Sequence, residues 1–171
     1  VRSRGLGDVY KRQIPVFVPD KFDDNGKWMD GWESRRRRQG GHDWCIIKLG
    51  VPGVIRLVDI NTAHFTGNYP PGAMIEAGHS ADGDISKVEW KTLVDQVDLG
   101  PDLHHILPTN TLGPVNMVRL NIYPDGGVAR LRLFGDVNYD WENKKSDICE
   151  LSALKLGGCI FCLLYTSDAA D

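Results

Sequence analysis

Apolar positions along the chain fall in short runs, and several of the runs alternate with polar residues at a period of two. Trp44–Leu49 is a brief apolar run closed by Gly50, with Pro52 and Gly53 just beyond, and Val54–Ile60 follows as a second strand candidate. A Gly- and Pro-rich stretch, Thr66–Gly72, then separates these from a third strand, Ala73–Ala77. Lys87–Val94 fits either a strand or a short helical turn. Met117–Tyr123 and Val128–Phe134 carry the clearest alternation, on either side of Pro124–Gly127. Strands recurring about every ten residues, punctuated by Gly and Pro, predict an all-β chain folded as an antiparallel sandwich rather than βαβ units.

The last two strands invite a register. Val118, Leu120 and Ile122 share one face, and so do Ala129, Leu131 and Leu133. If Pro124–Gly127 is a four-residue hairpin loop, these two sets oppose each other and form a consistent core face. The other face then sets Asn121 opposite Arg130 and Arg119 opposite Arg132. Like charges directly opposite are unfavourable, so a carboxylate from protein or ligand is expected between them, or else the arginines splay into water. Beyond Tyr139, Asp140–Ser146 reads as a polar connector. Asp147–Gly158 has the apolar spacing of a short helix ending in a glycine pair.

Composition adds modest limits. The chain has 171 residues, 42% hydrophobic and 25% charged, in the range of a globular domain with a real core. A net charge of -3 argues against nucleic acid as the main partner. No run reaches the ~20 apolar residues of a membrane helix, and the start has no signal-peptide pattern, so a cytoplasmic location is expected. Cys159 and Cys162 have the spacing of a redox or metal pair but lack a second such pair. His104 and His105 are adjacent and would point to opposite faces of a strand, which disfavours chelation of one ion. No metal or cofactor signature is evident, and a divalent metal site assembled in space stays open.

Both ends read as foreign. Ser3–Gln13 and Cys162–Asp171 resemble in-frame translations of adapter ends from transposon-based sequencing libraries. The expected organisation is therefore a tail over 1–13, a sandwich over 14–137, a linker with the start of a further unit over 138–161, and a second tail over 162–171.

Three segments closely resemble the allantoicase family: Lys27–Arg36 with His42–Trp44, Asp59–Pro70, and Arg119–Arg132. Together they cover nearly all of Ile14–Gly135. The family consists of two similar repeats, each a jelly-roll sandwich related to galactose-binding and discoidin-type domains. The DGWESRR form at Asp30–Arg36 looks like the first repeat, and Asp147–Gly158 looks like the opening of the second, cut short. The resemblance implies hydrolysis of allantoate to ureidoglycolate and urea in purine (allantoin) degradation. The implied partners are the small-molecule substrate, the second repeat of the same parent chain and a possible homo-oligomer. The competing reading is a non-catalytic ligand-binding sandwich, since a fold does not fix a function.

The chemistry narrows the residues. A carboxylate calls for arginine, whose planar fork binds it bidentately, and ureido N–H groups call for carboxylate or amide acceptors. Cleavage needs groups that move protons. Glu33, His64 and Asp125 are the candidates for proton transfer, with Asp30, Arg35, Arg36, Asn68, Tyr123, Arg130 and Arg132 as candidate substrate contacts. Arg36 or Arg130 is expected to meet the carboxylate, whereas Arg37 and Arg38 read as solvated surface. Each candidate also has a plain structural alternative. Glu33 could pair with an arginine, His64 could be a satisfied buried histidine, and Asp125 could be only a turn former. Trp28, Trp32 and Trp44 read as core.

Overall fold

The computed structural model describes residues 14–24 and 26–138, and the backbone of a short strand at 159–162. The expected N-terminal tail, the polar connector with the helical stretch Asp147–Gly158, and the residues after Cys162 lie outside the described residues.

A single long strand organises the rest. After the small hairpin β1 (Phe22–Asp23) and β2 (Gly26–Lys27) and the short β3 (Trp32–Glu33), strand β4 runs from Asp43 to Asn61. The expected break at Gly50–Gly53 is not a break, because the chain stays extended through it. Instead, register with its neighbour shifts between Lys48 and Gly53. Proline cannot donate to a ladder, so Pro52 is tolerated where the pairing is interrupted by a bulge.

The remaining strands are β5 (Gly72–Gly78), β6 (Lys91–Asp98), β7 (His104–Pro108), β8 (Val115–Tyr123), β9 (Gly127–Val128), β10 (Arg130–Val137) and β11 (Cys159–Cys162). The ambiguous stretch Lys87–Val94 divides: a 3-10 turn at Ile85–Lys87 leads into β6.

The first half of β4 pairs with β8 and with the backbone of β11, and its second half pairs with β10 and β7. The sheet order is β10-β4-β8-β5-β6. Strands β8 and β10 are therefore both neighbours of β4 and do not pair with each other, which corrects the hairpin expected from their proximity in sequence. The facing parity survives the correction. Val118, Leu120 and Ile122 are buried, and Leu131 and Leu133 pack on the same core with Ile55, Val58 and Ile60 of β4 and Ile75 of β5. The two halves of β4 thus cover the core from two layers of an antiparallel jelly-roll-like sandwich.

The arginines also find carboxylates, though not a shared one. Arg119 sits opposite Glu76 of β5 and donates to it at 2.7 Å, and Arg132 sits opposite Asp59 of β4 and donates to it at 3.1 Å. Asn121 lies between Trp44 and Met74, not opposite Arg130.

The arch in β4 has a consequence for function. Asp43 at its start donates its N–H to the Pro124 carbonyl at 3.0 Å, and Asn61 at its end accepts the Ala129 N–H on its carbonyl at 2.7 Å. The short connection from β8 to β10 therefore touches both ends of β4 and gathers the loops of one end of the sandwich.

Leu120 is 2% exposed within the core and Phe134 is 48% exposed. Leu120→Ala is expected to cost about 2–5 kcal/mol, and Phe134→Ala within about 0.5 kcal/mol. Equal shifts of the two urea midpoints would contradict this placement of the core.

Candidate active site at one end of the sandwich

The three segments singled out in the sequence meet around the turn 124–127. Strand β3 pairs with β9, setting Glu33 opposite Gly127 and Trp32 opposite Val128. Ser34 donates its N–H to the Gly126 carbonyl at 3.1 Å, and its hydroxyl accepts the Gly126 N–H at 3.0 Å. From the other side, Asn68 accepts the Gly127 N–H on its main-chain carbonyl at 2.6 Å. Only glycine fits here. Gly126 has φ +143, and a Cβ on Gly127 would lie 1.9 Å from the ring of the fully buried Phe65.

Glu33 stands at the junction. Asn68 donates its side-chain N–H to Glu33 Oε1 in a close contact, and Glu33 Oε2 has no hydrogen-bond partner among the described residues. The carboxyl is half-buried, and burial raises its pKa above the ordinary glutamate value. The Asn68 bond acts the other way by favouring the carboxylate, and nearby Asp23 adds a smaller upward push. A half-buried acid with one oxygen held and one available is suited to moving a proton.

The other candidates divide. Arg35 and Arg36 follow Glu33 in the same loop, are exposed, and form no ion pair among the described residues. Arg130 and Asp30 turn inward. Their side chains are 3% and 4% exposed and meet at 2.7 Å, with a second guanidinium nitrogen donating to the Asp30 carbonyl at 2.8 Å. Asp30 also accepts the Val16 N–H at 2.9 Å. Arg132 is engaged with Asp59. Tyr123 lies with its ring 4.6 Å from that of His42 and its hydroxyl 3.6 Å from the Met74 sulfur. Burial first, and then the charge of Glu76, raise its pKa. His64 adopts φ +68, donates its main-chain N–H to the Asp102 carboxylate at 2.7 Å and donates a ring N–H to the Pro15 carbonyl at 3.1 Å. Asp125 accepts the main-chain N–H of Arg37 at 2.6 Å.

Two features were not legible beforehand. Arg37, read from sequence as surface, has its guanidinium on Asp43 at 2.5 Å. The only sequence signal is the Gly40–Gly41 pair between them, which lets the chain double back. The second is a set on β4 and β7. Asn61 accepts the Ala63 N–H on its side-chain oxygen, so its amide N–H must face His104 Nε2 at 3.2 Å. That leaves His104 Nδ1–H to donate to Asp59 at 3.0 Å. His105, next in the strand, donates to the Ile60 carbonyl at 2.8 Å. The tryptophans, expected to be core, are only partly buried: Trp32 packs against the core, Trp32 and Trp44 line a small apolar recess with Cys45 and Leu120, and Lys21 caps the Trp28 ring at 3.6 Å. No group of three or more metal-binding side chains is assembled among the described residues. None of their helices is long and apolar enough to cross a membrane.

This architecture defines an antiparallel β-sandwich whose loops at one end carry a half-buried acid and a pair of exposed arginines. Residues 9–138 match the family model described as the allantoicase repeat. The probable allantoicase of Acinetobacter baumannii (strain ACICU) is 51% identical over 146 residues, covering 85% of this chain and 43% of that protein. The probable allantoicase 1 of Burkholderia mallei is 47% identical over 147 residues, 85% of this chain and 44% of its own length. The crystal structure of allantoicase from Saccharomyces cerevisiae superposes with a TM-score of 0.64 at 34% identity, over 75% of this chain and 40% of that one. The chain belongs to the allantoicase family. It spans less than half the length of the curated relatives it matches.

Removing one member of a buried ion pair strands the other, which typically costs about 3–5 kcal/mol. Asp30→Ala should therefore unfold the chain at much lower urea than Arg36→Ala, whose side chain is exposed. Equal midpoints for the two variants would show that Asp30 and Arg130 are not a structural pair. Glu33 gives a pH signature of its own. Its folded-state pKa is raised, so its stabilisation is full below the unfolded pKa and is lost as pH rises through the folded value. Glu33→Gln should flatten that limb of a stability–pH curve, and an unchanged limb would contradict the assignment.

Proposed function

We propose that this chain is the first repeat of a cytoplasmic hydrolase that cleaves allantoate to ureidoglycolate and urea in allantoin degradation, and that Glu33 moves the proton. Family membership supports the reaction class. The observation that carries the site is the half-buried Glu33, held by Asn68 beside two exposed arginines. A module that only bound ligand would need no acid with a raised pKa, so the binding-module reading is the weaker one.

In this reading water adds across the bond between the central carbon and one ureido nitrogen. Glu33 Oε2 takes a proton from the water as its oxygen bonds to carbon, and the same carboxyl returns a proton to the departing nitrogen. The raised pKa serves both halves: the carboxylate is a stronger base and its acid form persists to higher pH. Arg36, with Arg35 beside it, takes the substrate carboxylate as a charge-assisted pair. Arg130 does not serve this role, because its guanidinium is committed to Asp30. Asn68 orients Glu33 and offers its side-chain oxygen to a ureido N–H. Asp125, His64 and Tyr123 act in this scheme through loop geometry.

Urea release from allantoate by the full two-repeat protein checks the proposal. Glu33→Gln is expected to lower kcat by about 10²–10⁴-fold. Arg36→Ala should raise KM by about 10–100-fold, the loss of a charge-assisted hydrogen bond. A folded two-repeat protein that releases no urea, with and without added divalent metal, would sink the reading.

A further inference from the structure

Four consecutive arginines, Arg35–Arg38, invite a uniform description as a solvated basic run, yet one of them is unlike the rest. Arg37 donates its main-chain N–H to Asp125 at 2.6 Å. Its guanidinium donates to Asp43 at 2.5 Å and to the Gly40 carbonyl at 3.4 Å. The Asp43 side chain is only 9% exposed, against 34% for Arg37, so the pair is partly shielded from water and screened less than a surface pair. Gly41, at φ +106, wraps the chain around the guanidinium, and a Cβ there would lie 3.0 Å from the Arg37 Nη2.

These contacts end on one turn. Ser34 is bonded to Gly126, Arg37 N–H to Asp125, and Asp43 N–H to the Pro124 carbonyl. Positions 35 and 36 are therefore bracketed on both sides by bonds to the turn that also carries Gly127, the partner of Glu33. The Arg37–Asp43 contact closes the far side of the loop, between the second and third of those anchors.

Resting on the allantoate reading above, we propose that Arg37 is a positioning residue that clamps the 34–43 loop so that Arg35 and Arg36 are presented to the carboxylate of the substrate. It does not bind the substrate itself, since its guanidinium faces Asp43. Holding two long side chains in place before binding removes ordering that would otherwise oppose affinity, and small displacements of such groups are costly, up to about 10²-fold. Lysine can meet Asp43 as a point charge but cannot reach Asp43 and the Gly40 carbonyl with a planar fork.

Two measurements separate the clamp from the substrate. In the full two-repeat protein, Arg37→Gln is expected to raise KM for allantoate about tenfold or more with little change in kcat or thermal midpoint, and Arg37→Lys to recover part of the loss. Separately, Asp43→Asn leaves every arginine of the run in place while removing the partner. Trypsin should cut after Arg36 and Arg38 faster in Asp43→Asn than in the unaltered protein. Unchanged cleavage overturns the clamp. Faster cleavage with unchanged KM in Arg37→Gln overturns its link to substrate binding, and so does a fall in kcat and thermal midpoint at constant KM, which is the mark of a merely structural role. If the unaltered protein releases no urea, the allantoate part is overturned, and the cleavage comparison still decides the clamp alone.

Discussion

Arg130 and Asp30 meet inside the protein at 2.7 Å, almost wholly out of water, and the candidate site is built over that contact. Arg130 opens β10 and lies opposite Asn61, the last residue of β4. Asp30 belongs to the loop that leads through Glu33 to the start of β4. The pair thus pins the approach to one end of β4 against the other end. It also holds the segment before it, through the Val16 N–H. A charge in this setting is tolerable only with its partner and further hydrogen bonds, which Arg130 has on the Asp30 and Ala129 carbonyls. The chemistry of a carboxylate ligand would nominate Arg130 as readily as Arg36. Burial assigns the first to the fold and leaves the second exposed at the loop surface.

Above the pair, the arch of β4 does the gathering. Strand β4 is 19 residues long, and the register shift between Lys48 and Gly53 divides the half that pairs with β8 from the half that pairs with β10 and β7. The connection from β8 to β10 can then hydrogen-bond to both ends. Its two glycines admit Phe65 and Pro70 at distances no side chain would allow, so Glu33 and Asn68 come together over backbone that cannot drift. Electrostatics follow from that packing. Partial burial disfavours the Glu33 carboxylate, the Asn68 amide favours it, and the balance lies on the side of the raised pKa.

Much of this was legible in the sequence, and what was not has a physical reason. Alternation found the core face of β8 and β10, because side-chain direction is a local property of a strand, but the face read as outer is not uniformly wet: Asn121 and Arg130 are buried there too. Pairing is not local. It depends on which layer each strand joins, so two strands adjacent in sequence became the two flanks of β4 and the expected hairpin failed. The demand of Arg119 and Arg132 for carboxylates was sound, although Glu76 and Asp59 answer it at separate places. Gly50 and Pro52 look like strand breakers and become a bulge. In the arginine run, four identical side chains give no sequence means of telling the one that folds back from those that face solvent. Only the path of Gly40–Gly41 separates Arg37 from its neighbours.

The most direct test of the site is the titration of the Glu33 side chain itself, followed by carbon-13 NMR of its carboxyl and assigned by the signal lost in Glu33→Gln. The arrangement predicts a midpoint above that of an ordinary glutamate, moving higher still in Asn68→Ala, where the bond that favours the carboxylate is gone. A midpoint at or below the ordinary value, or one indifferent to Asn68, would contradict the placement of Glu33 as the half-buried proton carrier at the centre of this site.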